Sequence, residues 1–149
     1  PTLEMRSTDI ATRLDDGISL AAMYISLLSM LFRLRQENQR WRVYSRMLVQ
    51  ENIWRAQRYG VSESLMDFGI GELVPFSDLV DELTQLVAED AVSLDCVEEV
   101  MHTREIVRRG TSADRQRAVY QDAVTSGADD REALVAVVDF LIEETVAGL

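Results

Sequence analysis

Apolar residues return every three or four positions along most of this chain, which is the spacing of amphipathic helices. The strongest run lies between about Asp15 and Arg35 and is apolar nearly all round, so we expect this helix to be central in the fold. Five further helices are predicted at about 39–59, 77–91, 95–110, 112–127 and 129–146. The stretch 61–75, which contains Gly69, Gly71 and Pro75, is predicted to be a loop.

The first six residues have a different period. Thr2, Glu4 and Arg6 alternate with Leu3 and Met5, which is the pattern of a strand with one polar and one apolar face. No later segment has the pattern of a partner strand, so we expect this strand to belong to a sheet that is otherwise absent from the chain. The sequence thus predicts a mainly α protein, a single domain over 1–149, with a strand segment in 1–10 and a bundle of about six helices over 14–148.

Charge and composition exclude several classes of protein. The chain has 26 acidic and 15 basic residues, a net charge of −11, and no lysine. Because phosphate neutralisation supplies most of the affinity for nucleic acid, we expect no nucleic-acid partner. The absence of lysine also excludes Schiff-base chemistry and a Walker-type phosphate lysine. With Cys96 as the only cysteine, no intrachain disulfide can form, and a cytoplasmic location is expected.

The apolar stretch from Gly17 to Phe32 is shorter than the roughly 20 residues of a membrane span and contains three serines. We therefore expect a helix buried in protein and no membrane partner. No export signal is visible, and a chain that begins at Pro1 suggests a processed or excised piece.

Three motifs carry candidate chemistry, and each has a simpler structural alternative. Glu4 and Arg6, two apart on a strand, project from one face. A carboxylate beside a guanidinium suits a Mg²⁺–nucleotide site, where the acid holds the metal and the arginine neutralises phosphoryl charge. A surface ion pair is the alternative, and spacing alone favours it.

The second motif is Glu51-Asn-Ile-Trp-Arg-Ala-Gln-Arg-Tyr-Gly60, which places Glu51, Arg55 and Arg58 on one helical face. Two arginines one turn apart can clamp a carboxylate or a phosphate. Pairing with the acidic segment that follows is the alternative, and without other information we favour it.

The third motif is a basic helix end, a glycine turn and a new helix start, from Arg104 to Arg117. Backbone N–H groups in such a turn can hold an anion, but a capped corner between two helices is the favoured interpretation. His102 and Cys96 lie six residues apart on one predicted helix and are expected to be structural.

In this order, the segments Thr2–Asp9, Glu51–Gly60 and Gly110–Arg117, with a long apolar helix after the first, resemble the C-terminal part of the type 2 glutamate-cysteine ligase family, the carboxylate-amine ligases. The resemblance implies a glutamine synthetase-like fold, in which an antiparallel sheet holds Mg²⁺ and ATP. It also implies that a carboxylate is activated as an acyl phosphate, from which an amine displaces the phosphate.

The resemblance further implies roles for individual residues. Glu4 would be a metal ligand, Arg6 a catalytic residue, and Arg55 and Arg58 substrate-binding residues, with amino acids as substrates. The strands that bear the other metal carboxylates are absent, so we expect the chain to be inactive without an N-terminal half. A surface that lost its sheet would be apolar, so self-association into a homo-oligomer is expected. The alternative function is a free-standing helical bundle that acts as an interaction module.

Overall fold

The computed structural model describes residues 3–5 and 8–147. This part of the chain is mainly helical, as predicted, with one small antiparallel sheet. Its seven helices are α1 (Leu14–Gln36), α2 (Arg46–Tyr59), α3 (Phe76–Leu86), α4 (Ala88–Ser93), α5 (Val97–Arg109), α6 (Ser112–Thr125) and α7 (Asp130–Val146). Only Val87 separates α3 from α4, and together they occupy the span of one predicted helix, so the expected bundle of about six helices is confirmed.

The second helix is shorter than the predicted 39–59. Helix α1 ends where Asn38 takes the left-handed conformation, with φ of 59°, and the Gln39 amide donates to the Leu34 carbonyl at 2.8 Å. The chain then runs without regular secondary structure to Ser45, the N-terminal cap of α2. This interval contains Trp41 and Val43, types with weak helix propensity.

The predicted loop at 61–75 is instead a β-hairpin. Strands β1 (Ser64–Asp67) and β2 (Glu72–Pro75) pair antiparallel, with Leu65 opposite Val74. In the turn, the Asp67 carboxylate accepts from the Gly69 amide at 2.6 Å, and Gly71 has φ of 77°. Strands of four residues are too short for their alternation to stand out, so the sequence revealed only the turn residues.

The core lies between α1, α4 and α5. Small side chains line the buried face of α1, including Ser19, Ala22 and Ser26, which allows α4 and α5 to approach closely. The buried apolar cluster consists of Ala22, Met23, Met30, Val87, Ala91, Cys96 and Val100, with Leu27, Leu34 and Leu83 packed against it. Helices α6 and α7 form a separate hairpin beside this core.

Helix α1 is covered on one side only in the described part of the chain. Ile18, Ile25 and Phe32 keep 45%, 46% and 62% of their surface exposed. By length and composition alone, α1 is apolar enough to cross a membrane, a criterion that the core helix of a soluble protein also meets. The predicted helix forms and packs on α4 and α5, but the described residues bury only 28% of its apolar window, so its burial on all sides stays a prediction.

Before α1, Leu3–Met5 have no regular secondary structure. The other residues of the predicted strand, Pro1, Thr2 and Arg6, lie outside the described residues. A strand that joins a sheet in the rest of the protein therefore stays a prediction.

Candidate functional site

The second motif lies on α2 and binds the backbone of β1. The Asn52 side-chain amide donates to the Met66 carbonyl at 2.8 Å, and its oxygen accepts from the Met66 amide at 2.8 Å. One side chain thus makes both hydrogen bonds that a neighbouring strand would make. Arg55 Nε donates to the Ser64 carbonyl at 2.8 Å. The helix and the hairpin are therefore joined through side-chain to main-chain bonds.

The two arginines of this motif have different environments. Arg55 has a mostly buried side chain, fixed by the Ser64 carbonyl and with Glu51 3.8 Å from its guanidinium. Arg58 is exposed and has no hydrogen bond or ion pair to any residue that the structure describes. The sequence motif predicts that both arginines bind one carboxylate or phosphate. In this structure, Arg55 holds the scaffold, and the Arg58 guanidinium is the one available to a ligand.

The third motif forms a capped corner between α5 and α6. Asp114 accepts from the Thr111 amide at 2.9 Å and from its hydroxyl at 2.7 Å, while the Thr111 hydroxyl accepts from the Asp114 amide. Burial raises the pKa of Asp114, but the hydrogen bonds from Thr111 and Arg117 outweigh burial and hold the pKa below its ordinary value. The Asp114 carboxylate therefore occupies the place an external anion would take, which supports the structural interpretation of this turn.

Two glycines bring the second and third motifs together. A Cβ atom on Gly60 would lie 3.7 Å from Asp114 Oδ2, and one on Gly110 would lie 3.4 Å from Asp114 Cβ. Both glycines have positive φ, of 61° and 88°. The end of α2 therefore packs against the start of α6, although the two motifs are 50 residues apart in sequence.

The N-terminal segment reaches the same corner. Thr12 Oγ1 donates to Ser112 Oγ at 2.9 Å, and Gln116 Nε2 donates to the same oxygen at 2.9 Å. Beside this contact is a cavity of about 550 Å³, within the size range of small-molecule sites. Its lining is mainly apolar and includes Asp9, Ile10, Thr12, Asp16, Leu20, Val61, Phe76, Val80, Ile106, Val107, Thr111, Ser112 and Gln116. Residues from or next to all three motifs thus meet at one cavity.

The acidic side chain at the start of α1 is neutralised by α5. Asp16 accepts from Arg109 at 2.5 Å and shares a hydrogen bond of 2.9 Å with His102 Nε2. Burial raises the pKa of Asp16, but the hydrogen bonds from Arg109 and His102 outweigh burial and hold it below its ordinary value. The structural role predicted for His102 therefore agrees with its contacts.

Comparison with known proteins identifies the family. The sequence profile of glutamate-cysteine ligase family 2 (GCS2) matches residues 1–139.

The chain belongs to glutamate-cysteine ligase family 2.

Relatives from Rhodospirillum rubrum and Jannaschia sp., each named "Putative glutamate--cysteine ligase 2", are 56% and 50% identical to it over 149 and 144 residues. These alignments cover 100% and 97% of the chain but only 38% of each relative. The chain therefore corresponds to a part of a family 2 ligase, the C-terminal part. No solved structure matches the chain.

The remaining predicted site residues lie in the first six positions of this family 2 chain. Glu4 is exposed in the segment Leu3–Met5, and Arg6 lies outside the described residues. Among the residues that the structure describes, no group of three or more His, Cys, Asp or Glu side chains is arranged to hold a metal ion. The assignments of Glu4 to a metal and of Arg6 to catalysis therefore remain predictions.

Sequence reasoning missed the positioning role of Asn52 and the contact between Thr12 and Ser112. The position of Asn52, one turn before Arg55, is a usable signal. The side-chain amide of an asparagine on a helix can form hydrogen bonds with the main chain of a strand that the helix faces. No local signal pointed to Thr12 and Ser112, which are 100 residues apart.

Proposed function

We propose that this chain is the C-terminal, helical part of an ATP-dependent carboxylate-amine ligase of the glutamate-cysteine type, which works through an acyl phosphate. The observation that carries the proposal is that residues from or next to the three motif segments line one cavity, in a chain that belongs to the ligase family. Glu4, Arg55 and Arg58 are not in the lining of this cavity. An apolar cavity of this size with a few polar groups in its lining is the usual form of a small-molecule site, which supports the proposal.

Within this proposal, the chain contributes some of the groups of a larger site. Glu4 holds Mg²⁺ or the nucleotide side of the site, and Arg6 stabilises transferred phosphoryl charge. Arg58 binds a substrate carboxylate or phosphate, and Arg55 positions it by fixing α2 against the hairpin. ATP and Mg²⁺ are the cofactors of the complete enzyme.

The described residues do not fit a Mg²⁺ site on their own. Magnesium prefers several oxygen ligands, and Asp16, a carboxylate in the cavity lining, is already bound by Arg109 and His102. The other ligands would come from the rest of the ligase, so the chain alone is expected to be inactive.

The test is reconstitution. The chain is mixed with the N-terminal part of the Rhodospirillum rubrum relative that lies outside the match, and phosphate release is measured with ATP, Mg²⁺, glutamate and cysteine. We expect release only from the mixture. Because an arginine at developing phosphoryl charge contributes about 10²- to 10³-fold, Arg6→Ala should lower kcat by that amount, and Glu4→Ala should weaken the dependence on Mg²⁺.

Arg58→Ala should raise KM for the carboxylate substrate by about tenfold, because a charge-assisted contact is lost. Arg131→Ala removes an exposed arginine from α7 and is the matched control. A mixture that forms a complex but releases no phosphate under any amino-acid pair would contradict the ligase proposal and leave the interaction-module hypothesis.

A further inference from the structure

The outer face of α1 is an apolar surface that the described chain leaves uncovered. Leu14, Ile18, Ile25 and Phe32 are spaced by four, seven and seven residues, so they share one face of the helix. Each keeps between 45% and 62% of its surface exposed. We call these four residues the α1 outer stripe. The stripe is centred about 100° around the helix axis from the seam of Ser19, Ala22 and Ser26, through which α1 packs on α4 and α5.

We infer that the α1 outer stripe is the docking surface for the N-terminal part of the same ligase, the part outside this chain. The inference rests on the proposed function and says which face of the chain completes the enzyme.

The first argument is the amount of missing protein. The chain spans 38% of the relatives it matches and corresponds to their C-terminal part, so more than half of each relative lies on the N-terminal side of the match. The connection enters through the segment that leads directly into α1 and touches the corner at Ser112. The outer stripe begins at Leu14, two residues after Thr12, so this surface is continuous with the point of entry.

The second argument separates α1 from α7, another helix with an exposed apolar row. Val138 and Ile142 are 54% and 60% exposed, comparable to the residues of the outer stripe. The family profile, however, includes all of α1 and ends at residue 139, within α7. The surface of α1 is therefore part of the region that defines the family, while the end of α7, including Ile142, lies outside it.

The third argument is the composition of α1. A helix on the outside of a finished protein has a polar face, whereas α1 is apolar enough, by length and composition alone, to meet the criterion for a membrane span, and only 28% of its apolar window is buried by the described residues. Ser19 and Ser26 are completely buried in the seam with α4 and α5, so this side is already occupied by protein. An apolar outer side is what a helix requires when it is sandwiched between two layers of one domain.

The experiment measures binding of the chain to the separately produced N-terminal part of the Rhodospirillum rubrum relative by titration calorimetry. The test variant is Ile18→Glu/Ile25→Glu, and the matched control is Val138→Glu/Ile142→Glu, which adds the same charge to a somewhat more exposed row on α7. Far-UV circular dichroism compares the helix content of both variants with that of the unmodified chain.

We expect the α1 variant to bind at least about 100-fold more weakly and the α7 variant to bind within about twofold of the unmodified chain. Oxidative footprinting of the unmodified complex, which does not depend on the folding of any variant, should show Phe32 and Ile25 protected and Ile142 unprotected. Absence of binding by the unmodified chain, equal loss in both variants, or an unprotected stripe would overturn the inference.

Two other occupants are outcomes of the same design. Analytical ultracentrifugation of each chain, with the N-terminal part present, tests for a second copy. A dimer for the unmodified chain and a monomer for the α1 variant would assign the stripe to a second copy of this chain. Stripe-dependent binding to phosphatidylcholine–phosphatidylglycerol vesicles in preference to the N-terminal part would assign it to a bilayer. Complex formation without phosphate release would contradict the proposed function alone, and full activity of the α1 variant would contradict the docking surface alone.

Discussion

The seam between α1, α4 and α5 and the unit formed by α2 with the β-hairpin are stabilised in different ways. The seam buries apolar side chains and a carboxylate, Asp90, that is paired with Arg33. Helix α2 has no fully buried residue and binds the hairpin through Asn52 and Arg55. The difference indicates that the seam provides most of the stability, while the α2 unit positions functional side chains and leaves them accessible to solvent.

The largest expected effect is from a cavity in the seam. Met30→Ala removes a side chain that is 97% buried in the core cluster and should lower the free energy of unfolding by about 3 kcal/mol, because both burial and packing are lost. Met47→Ala is the matched change on α2, where the side chain is 76% exposed, and should alter it by less than about 0.5 kcal/mol. Urea denaturation measures both. Similar losses for the two variants would show that the comparison is wrong.

The second prediction concerns the ion pair of the seam. Asp90 accepts from Arg33 at 2.7 Å and from Ser29 at 2.8 Å. Asp90→Asn should cost about 2 kcal/mol at pH 7, less than a fully buried pair, because Arg33 can turn partly to solvent. Glu89→Gln, on a largely exposed side chain 3.6 Å from the same arginine, is the control and should have little effect.

The Asp90 pair also predicts a pH dependence. The hydrogen bond from Arg33 holds the pKa of Asp90 below its ordinary value, although burial acts in the opposite direction. A carboxylate with a depressed folded-state pKa stabilises the protein above its unfolded-state pKa of about 3.9, and this contribution is lost as pH falls through the folded-state value. The stability difference between the unmodified chain and Asp90→Asn should therefore be constant above about pH 5 and shrink below about pH 4. A difference that grows on acidification would contradict this assignment.

A smaller effect is expected from the α2 unit. Asn52→Ala leaves both polar groups of the Met66 backbone without their partner and should cost about 1 kcal/mol. The loss should be local, so hydrogen exchange at the Met66 amide should accelerate about five- to tenfold while the amides of α5 are unchanged. Asn52→Asp retains the acceptor for the Met66 amide and should preserve more of its protection. Equal acceleration throughout the chain would mean that the unit is not locally stabilised.

The smallest effect on stability is predicted for Arg58→Ala. This side chain is exposed and has no hydrogen bond or ion pair within the described chain, so the free energy of unfolding should change by less than about 0.5 kcal/mol. Arg55→Ala removes the donor to the Ser64 carbonyl and should cost more, about 1 kcal/mol. Thermal unfolding of the two variants in parallel tests the division of roles between these arginines. An equal loss in both would show that Arg58 also has a scaffold role.

Prediction from sequence succeeded where the determining interactions are local. The helices predicted at 95–110, 112–127 and 129–146 agree with α5, α6 and α7 to within about two residues at each end, because helical periodicity and capping depend on residues within about one helical turn. It failed at 39–45, where an irregular segment separates two helices, and at 61–75, where each strand has only four residues. Each of these segments is too short for a periodic pattern of apolar residues to determine its secondary structure.

The features of the candidate site can likewise be separated into those that local sequence determines and those that depend on distant contacts. The sequence alone determined the helical class, the three motifs and the family to which they belong, because residue identity and short spacing are written directly in the chain. Only the tertiary structure decided that Gly60 packs by Asp114, that Thr12 binds Ser112 across 100 residues, and that Arg55 is used while Arg58 is free of hydrogen bonds and ion pairs within the described chain. Such pairings depend on how the helices pack on one another, and packing is set by the shape of the whole core, which no single segment encodes.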